Sequence, residues 1–267
     1  MKTKKLVALV LVAVLAITSV VGGTLAYFTD DEKAKNTMVV GNVEINIDEW
    51  KYEEGWKDFE NDKFVLYPIE NEQGINLFNK SVRTYNTSPS EDDAYIRSFV
   101  LIEKNDLLTE EHVNEGGADC CFPGIHFAYD NNPAAPYTSS KDGRQHYASK
   151  PAGSLDETVT VDGNEYWVAW YVEAQERAIP YDAALSSLHS VYMDKNITQE
   201  QVAGWYTYKN GQLEEDKVDI IVFSQGIQAE GLTHAEAMTA LGEVTKANVE
   251  SWIADVNVND AVINDMI

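Results

Sequence analysis

"AYIRSFVLIE", residues 94–103, decides the fold. In an extended chain alternate side chains point to opposite faces. That places Tyr95, Arg97, Phe99 and Leu101 on one face and Ile96, Ser98, Val100 and Ile102 on the other. Both faces are largely apolar, which predicts a strand covered on two sides, central in a β-sandwich. "TSPSEDD" before it is a turn cluster, and "NLFNKSVRTYN" before that reads as the partner strand.

Other segments repeat the pattern. "ETVTVDGNEYWVAWYVEAQE" (157–176) reads as a hairpin turning at Asp162-Gly163. "KVDIIVFSQGIQAEG" (217–231) is a second strand buried on both faces. In "MVVGNVEINIDEW" (38–50), Val43, Ile45 and Ile47 alternate with Glu44, Asn46 and Asp48, as in a half-buried strand. "FVLYPIE" is a short strand stopped at Pro68. "LSSLHSVYMDK" reads as one further strand, and residues 51–63 as a loop. Residues 105–160 hold much of the Gly, Pro, Ser and Asp punctuation, with short strands at "GIHFAYD" and "QHYAS". Helices are few. "NITQEQVAGWY" opens on a Thr198-x-x-Gln201 capping box, "LTHAEAMTALGEV" on Thr233 with Glu236 three residues later, and the tail is helical to about Ala254. The expected class is all-β, an antiparallel sandwich with a few short helices.

The front of the chain has a different character. "MKTKK" is basic, Leu6 to Val21 is an apolar run of sixteen residues, and "GGTLA" ends it with small residues Thr24 and Ala26. A spanning helix needs about 20 apolar residues, so this is a signal-peptide helix, cleaved after Ala26 to leave Tyr27 first. The secreted domain is then 27–267, and the membrane is engaged only through the uncleaved signal. Losing 1–26 removes three lysines and no acid, taking the formal charge from −24 to −27. Such a surface repels nucleic acid and anionic lipid and suits an extracellular protein.

"GGTLAYFTD" followed by "NTMVVGNVEINIDEW" resembles the signal region of the TasA/camelysin family, whose members carry a SipW-type signal. Thr24, Ala26, Tyr27, Phe28, Asp30, Asn36, Gly41, Val43, Ile45 and Ile47 stand where that pattern asks. "AYIR", with Tyr95 and Arg97, resembles the family's hairpin, and Gln228, Ala229, Glu230 and Gly231 its closing motif. Residues 104–182 depart from the compact members and read as a loop-rich insertion. The resemblance implies a jelly-roll-like sandwich and assembly into extracellular, biofilm-matrix fibres. The mature N-terminus serves there as a strand for the neighbouring subunit. Tyr27, Phe28, Thr29, Asn36, Met38 and Val40 are therefore the candidate assembly strand, and Gly41, Asn42, Val43, Tyr95, Arg97, Gln228, Glu230 and Gly231 the motif's structural positions. The implied partners are other copies of the chain and a SipW-type signal peptidase. For Arg97 the residues leave two roles, a binding residue or a strand arginine paired to a carboxylate.

The sequence lacks the familiar catalytic motifs. A zincin helix needs His-Glu-x-x-His, whereas His112, His126, His146, His189 and His234 are nowhere closer than fourteen residues. No G-x-S-x-G elbow, Walker loop or G-x-G-x-x-G occurs. Asp255, Asn257 and Asn259 start like a calcium loop, but Asp260 and Met266 stand where Gly and Glu are required. Cys120 and Cys121 are adjacent, the wrong spacing for an ordinary bridge. The expectation is no enzyme and no cofactor. Three readings follow: a self-assembling surface protein, a non-polymerising adhesin with a cell-wall or host-surface ligand, and a camelysin-like secreted metalloprotease.

Overall fold

The computed structural model describes residues 29–32, 43–52, 56–59, 64–66, 80–104, 119–122, 125–128, 136–139, 141–148, 150–174, 176–193, 206–209, 212–215, 217–254 and 259–265. The export segment, Tyr27, Phe28, Asn36, Met38, Val40, Gly41, Asn42 and residues 196–205 of the helix read over 196–206 all lie outside these residues; Tyr206, the last residue of that reading, is in a strand.

The protein is mostly β, with its sheets arranged as a sandwich. In chain order the strands are β1 (Thr29–Glu32), β2 (Ile45–Tyr52), β3 (Trp56–Asp58), β4 (Phe64–Leu66), β5 (Lys80–Asn86), β6 (Ala94–Glu103) and β7 (Asp119–Phe122). Then come β8 (Ile125–Ala128), β9 (Tyr137–Thr138), β10 (Gln145–Tyr147), β11 (Lys150–Gly153), β12 (Val159–Val161), β13 (Asn164–Glu173), β14 (Ala184–Leu188) and β15 (Ser190–Met193). Last are β16 (Tyr206–Lys209), β17 (Gln212–Glu215), β18 (Lys217–Gln228), helices α1 (His234–Leu241) and α2 (Lys246–Ala254), and β19 (Asn259–Asp265).

Sheet one runs β11-β13-β6-β18-β19-β4, with β1 also on β18 and β12 on β13. Sheet two runs β3-β2-β5-β14-β10-β9. β6 is central, as its two apolar faces require. Its Ile96, Val100 and Ile102 join Val43, Ile45, Ile47 and Val82 between the sheets. Its Phe99 and Leu101 face outward and are covered by Val249 and Ile253 of α2. Phe99 stacks on Phe223, its register partner in β18, with centroids 4.5 Å apart. The β12–β13 hairpin closes through Asp162 (φ 48°) and Gly163 (φ 91°), both in the left-handed region that a two-residue hairpin turn demands. The pairing of β13 with β6 shifts register between Val168 and Trp170. That bulge sends Val168 to the helix-covered face and Trp170, two residues on, into the space between the sheets.

Three hydroxyls inside the sandwich pair with one another. Thr84 of β5, Ser98 of β6 and Ser224 of β18 are all fully buried. Their hydroxyls form a triangle, with Thr84–Ser98 at 3.1 Å, Thr84–Ser224 at 2.7 Å and Ser98–Ser224 at 2.7 Å. Lys80 Nζ donates to Glu49 Oε2 at 2.7 Å and lies 4.0 Å above the Phe59 ring.

Two readings of the sequence are corrected. Residues 51–63 are not loop throughout, because Trp56–Asp58 form β3 against β2. "LSSLHSVYMDK" is not one strand. It breaks at His189 into β14, which pairs with β5, and β15, which pairs with β8 in a separate three-stranded sheet. The segment 104–182 is woven into both large sheets, supplying β9 and β10 to one and β11, β12 and β13 to the other.

Candidate assembly edge

β18 is the longest strand among the described residues, and its two edges are treated differently. One edge pairs continuously with β6, from Ile220↔Ile102 to Gln228↔Ala94. The other is shared by two segments. β1 covers Ser224 to Ile227 antiparallel, with Thr29↔Ile227 and Glu32↔Ser224. β19 covers Lys217 to Val222, also antiparallel, with Asn259↔Val222 and Asn264↔Lys217. Thr29, the one described residue of the candidate assembly strand, therefore sits on an inner edge of the main sheet. The pairing supplies backbone partners to Ser224–Ile227 that a bare edge would leave to solvent or to another chain.

The motif residues build this edge from behind. Val43 is fully buried. A Cβ on Gly226 would lie 2.9 Å from Ile45 Cγ2 and 3.2 Å from Val43 Cγ1, so glycine here lets β2 close over β18. Gly226→Ala is expected to overpack this contact, lowering stability by about 1–3 kcal/mol, read as a drop in the urea midpoint. Tyr95 packs with Ile227 against Ala237 and Leu241 of α1. Gln228 donates to Asp92 Oδ2 at 3.0 Å. Glu230 is exposed, and Gly231 (φ 78°) makes the turn into α1. That helix opens with the expected capping box between Thr233 and Glu236.

Arg97 is almost wholly buried and its guanidinium caps the far end of α1. It donates to Gln225 Oε1 at 2.7 and 3.2 Å, to Leu241 O at 3.1 Å and to Gly242 O at 3.0 Å. These four contacts go to an amide oxygen and to main-chain carbonyls. A cation there complements the carbonyl end of the helix.

A second polar group, not singled out in the sequence, occupies the outer face of sheet two. Arg83 Nε donates to His146 Nδ1 at 3.2 Å. Its other nitrogens reach Ser186 Oγ, Val82 O, Leu188 O and Tyr137 Oη. A guanidinium can only donate, so Nδ1 of His146 accepts and the ring proton is on Nε2. Nε2 lies 3.2 Å from the Tyr85 hydroxyl, which donates to Asp142 Oδ2 at 2.7 Å. Trp50 lies alongside, its ring centroid 5.4 Å from that of His146. This group holds the β9–β10 hairpin to the sheet. The signal in the sequence was slight: Arg83 and Tyr85 alternate on β5, but nothing there points to His146, 63 residues on from Arg83.

Burial works against the Asp142 carboxylate. The Tyr85 hydroxyl and the Arg144 main-chain N–H outweigh it, helped by the Ser139 hydroxyl, and hold its pKa below the usual carboxylate range. A depressed folded-state pKa gives stability that is present above the unfolded value, about 3.9, and is lost as pH falls through the folded one. Asp142→Asn is expected to flatten the acid limb of the stability profile below about pH 4. The size should stay under about 1 kcal/mol, because the group is largely solvent-screened. Thermal midpoints of both proteins between pH 3 and 7 check this. Asp48, raised by burial, moves the other way, so the difference between the two proteins isolates Asp142.

Residues 1–52 match the family model of camelysin metallo-endopeptidase. Over that stretch the chain is similar to the camelysin family. The match runs through β1 and ends at Tyr52, the last residue of β2, and it supports the TasA/camelysin resemblance. No curated protein and no solved structure matches this chain. The camelysin description carries a metal, so the donor set matters. Among the described residues no three or more His, Cys, Asp or Glu gather as ligands. His146 faces a guanidinium, and His234 Nε2 lies 3.0 Å from Glu173 Oε2 with Tyr95 edge-on. These surroundings do not fit a zinc site, and no peptidase step is derived from them. No helix among the described residues is long and apolar enough to cross a membrane.

Proposed function

We propose that this chain is a secreted bacterial surface or biofilm-matrix protein whose subunits join by strand exchange through the mature N-terminus. The observation that carries the reading is the placement of β1. Thr29–Glu32 pairs with an inner strand of the main sheet over four residues, close behind the camelysin-like export segment. A short strand held on a sheet edge by main-chain bonds can be supplied by another chain with the same bonds. Supplied head to tail, it gives an open filament, because such a contact is heterologous. The SipW-type peptidase, in this reading, releases Tyr27 and so frees the strand.

Negative-stain electron microscopy of the mature protein, beside a version lacking residues 27–40, tests this. Filaments are expected from the first and monomers from the second. Monomers from both, with β-rich circular dichroism intact, would transfer the assignment to a non-polymerising binding module. The hairpin pinned by His146 would then be its first candidate face.

A further inference from the structure

We infer that β19 is a displaceable plug: the surface that receives a second copy of this chain is the whole β18 edge from Lys217 to Ile227, and β19 vacates its part when the incoming strand pairs. This rests on the strand-exchange reading and adds to it the extent of the receiving edge and the element that guards it.

β1 and β19 run in the same direction along β18, end to end. Glu32 stands opposite Ser224 and Asn259 opposite Val222, so that Phe223 alone separates the two tenants. An incoming strand in the register of β1 would meet the start of β19 just past Glu32. Four residue pairs make a weak junction for a filament, and a single short strand is marginal in water. Continuing the register of β1 gives eleven pairs, ending at Val39 opposite Lys217.

The sequence fits that continuation. Opposite Val222, Ile220 and Val218, β19 places Asn259, Ala261 and Ile263. The continued register places Ala34, Asn36 and Met38 there. Each set has one alanine, one asparagine and one large apolar residue, and the large one stands opposite Val218 in both. Between them β19 brings Asp260 opposite Ile221, where the incoming strand brings Lys35, with Lys33 opposite Phe223. On a chain of formal charge −24, exchanging an acidic strand for a lysine-bearing one is favoured electrostatically. β19 is held on its far side by little. Its other neighbour is β4, paired over three residues, and the outer face of β6 and β18 has its own cover, with Val249 and Ile253 of α2 clustered with Phe99 and Phe223.

The test is a reversible lock in the mature chain. Asp219 and Val262 stand directly opposite, so D219C/V262C, with Cys120 and Cys121 changed to serine, ties β19 to β18 when oxidised and frees it when reduced. Equal thermal midpoints for the reduced protein and its parent establish the fold. Filament growth is expected to be about tenfold or more slower in the oxidised form, because local opening of β19 is blocked. A fluorescent peptide of residues 29–40 should bind the reduced form, protect the amides of 217–222 from hydrogen exchange, and fail to bind the oxidised one. Equal growth in both forms overturns the plug and leaves strand exchange standing. Absence of filaments with peptide binding confined to the reduced form keeps the plug and removes self-assembly. A peptide that binds both forms equally, or neither, overturns the inference.

Discussion

Arg83→Leu should lower the stability of this protein by about 3 kcal/mol or more, since each buried polar group left unpaired costs about 1–3 kcal/mol. The guanidinium is the hub of the outer face of sheet two, donating to His146, Ser186, Tyr137 and two main-chain carbonyls. Leucine fills some of the volume but abandons all five acceptors. Lysine should rescue little, because one ammonium cannot reproduce a planar fork. Urea unfolding gives the energy. Hydrogen exchange over residues 137–148 gives the location, since the β9–β10 hairpin should lose protection before the core does. Uniform loss across the chain would show that Arg83 serves the whole fold and not this hairpin.

Trp170→Ala should cost about 3–5 kcal/mol, the range for truncating a buried tryptophan. Trp170 is fully buried between the sheets, and its indole N–H donates to Ser187 O at 3.0 Å. Alanine would leave both a cavity and an unpaired carbonyl. Trp170→Phe should recover most of the packing and lose only the hydrogen bond, about 1 kcal/mol. A cost as small for alanine as for phenylalanine would mean that the bulge at Val168–Trp170 relaxes and returns another side chain to the core.

The sandwich was legible because its central strands are apolar on both faces. "AYIRSFVLIE" and "DIIVFSQG" admit few other readings, and Asp162-Gly163 marks its own turn. The Thr233–Glu236 cap is equally local, and it formed as read. What escaped the sequence depends on pairing. β3 is three residues in a polar stretch, and it is a strand only because β2 lies beside it. The break at His189 sits where the chain leaves one sheet for another, and no Gly, Pro, Asn or Asp marks it. The Arg83–His146–Tyr85–Asp142 group joins β5 to a distant hairpin, and only the fold brings the two together. Arg97 was singled out, but its contacts with the carbonyls of a helix end lie more than a hundred residues later. A linear reading has no means of finding them.

The triangle of Thr84, Ser98 and Ser224 has a consequence for alignment. Two sheets faced with aliphatic side chains meet through a greasy surface that tolerates sliding, since dispersion forces are non-directional. Hydroxyls are directional. Ser98 and Ser224 face each other on neighbouring strands of one sheet, and Thr84 reaches both from the opposite sheet. A slip of one sheet by a single residue would carry Thr84 out of reach and strand three buried oxygens. The triangle thus works as a dowel: it adds little to the strength of the joint, but it permits only one position of the halves.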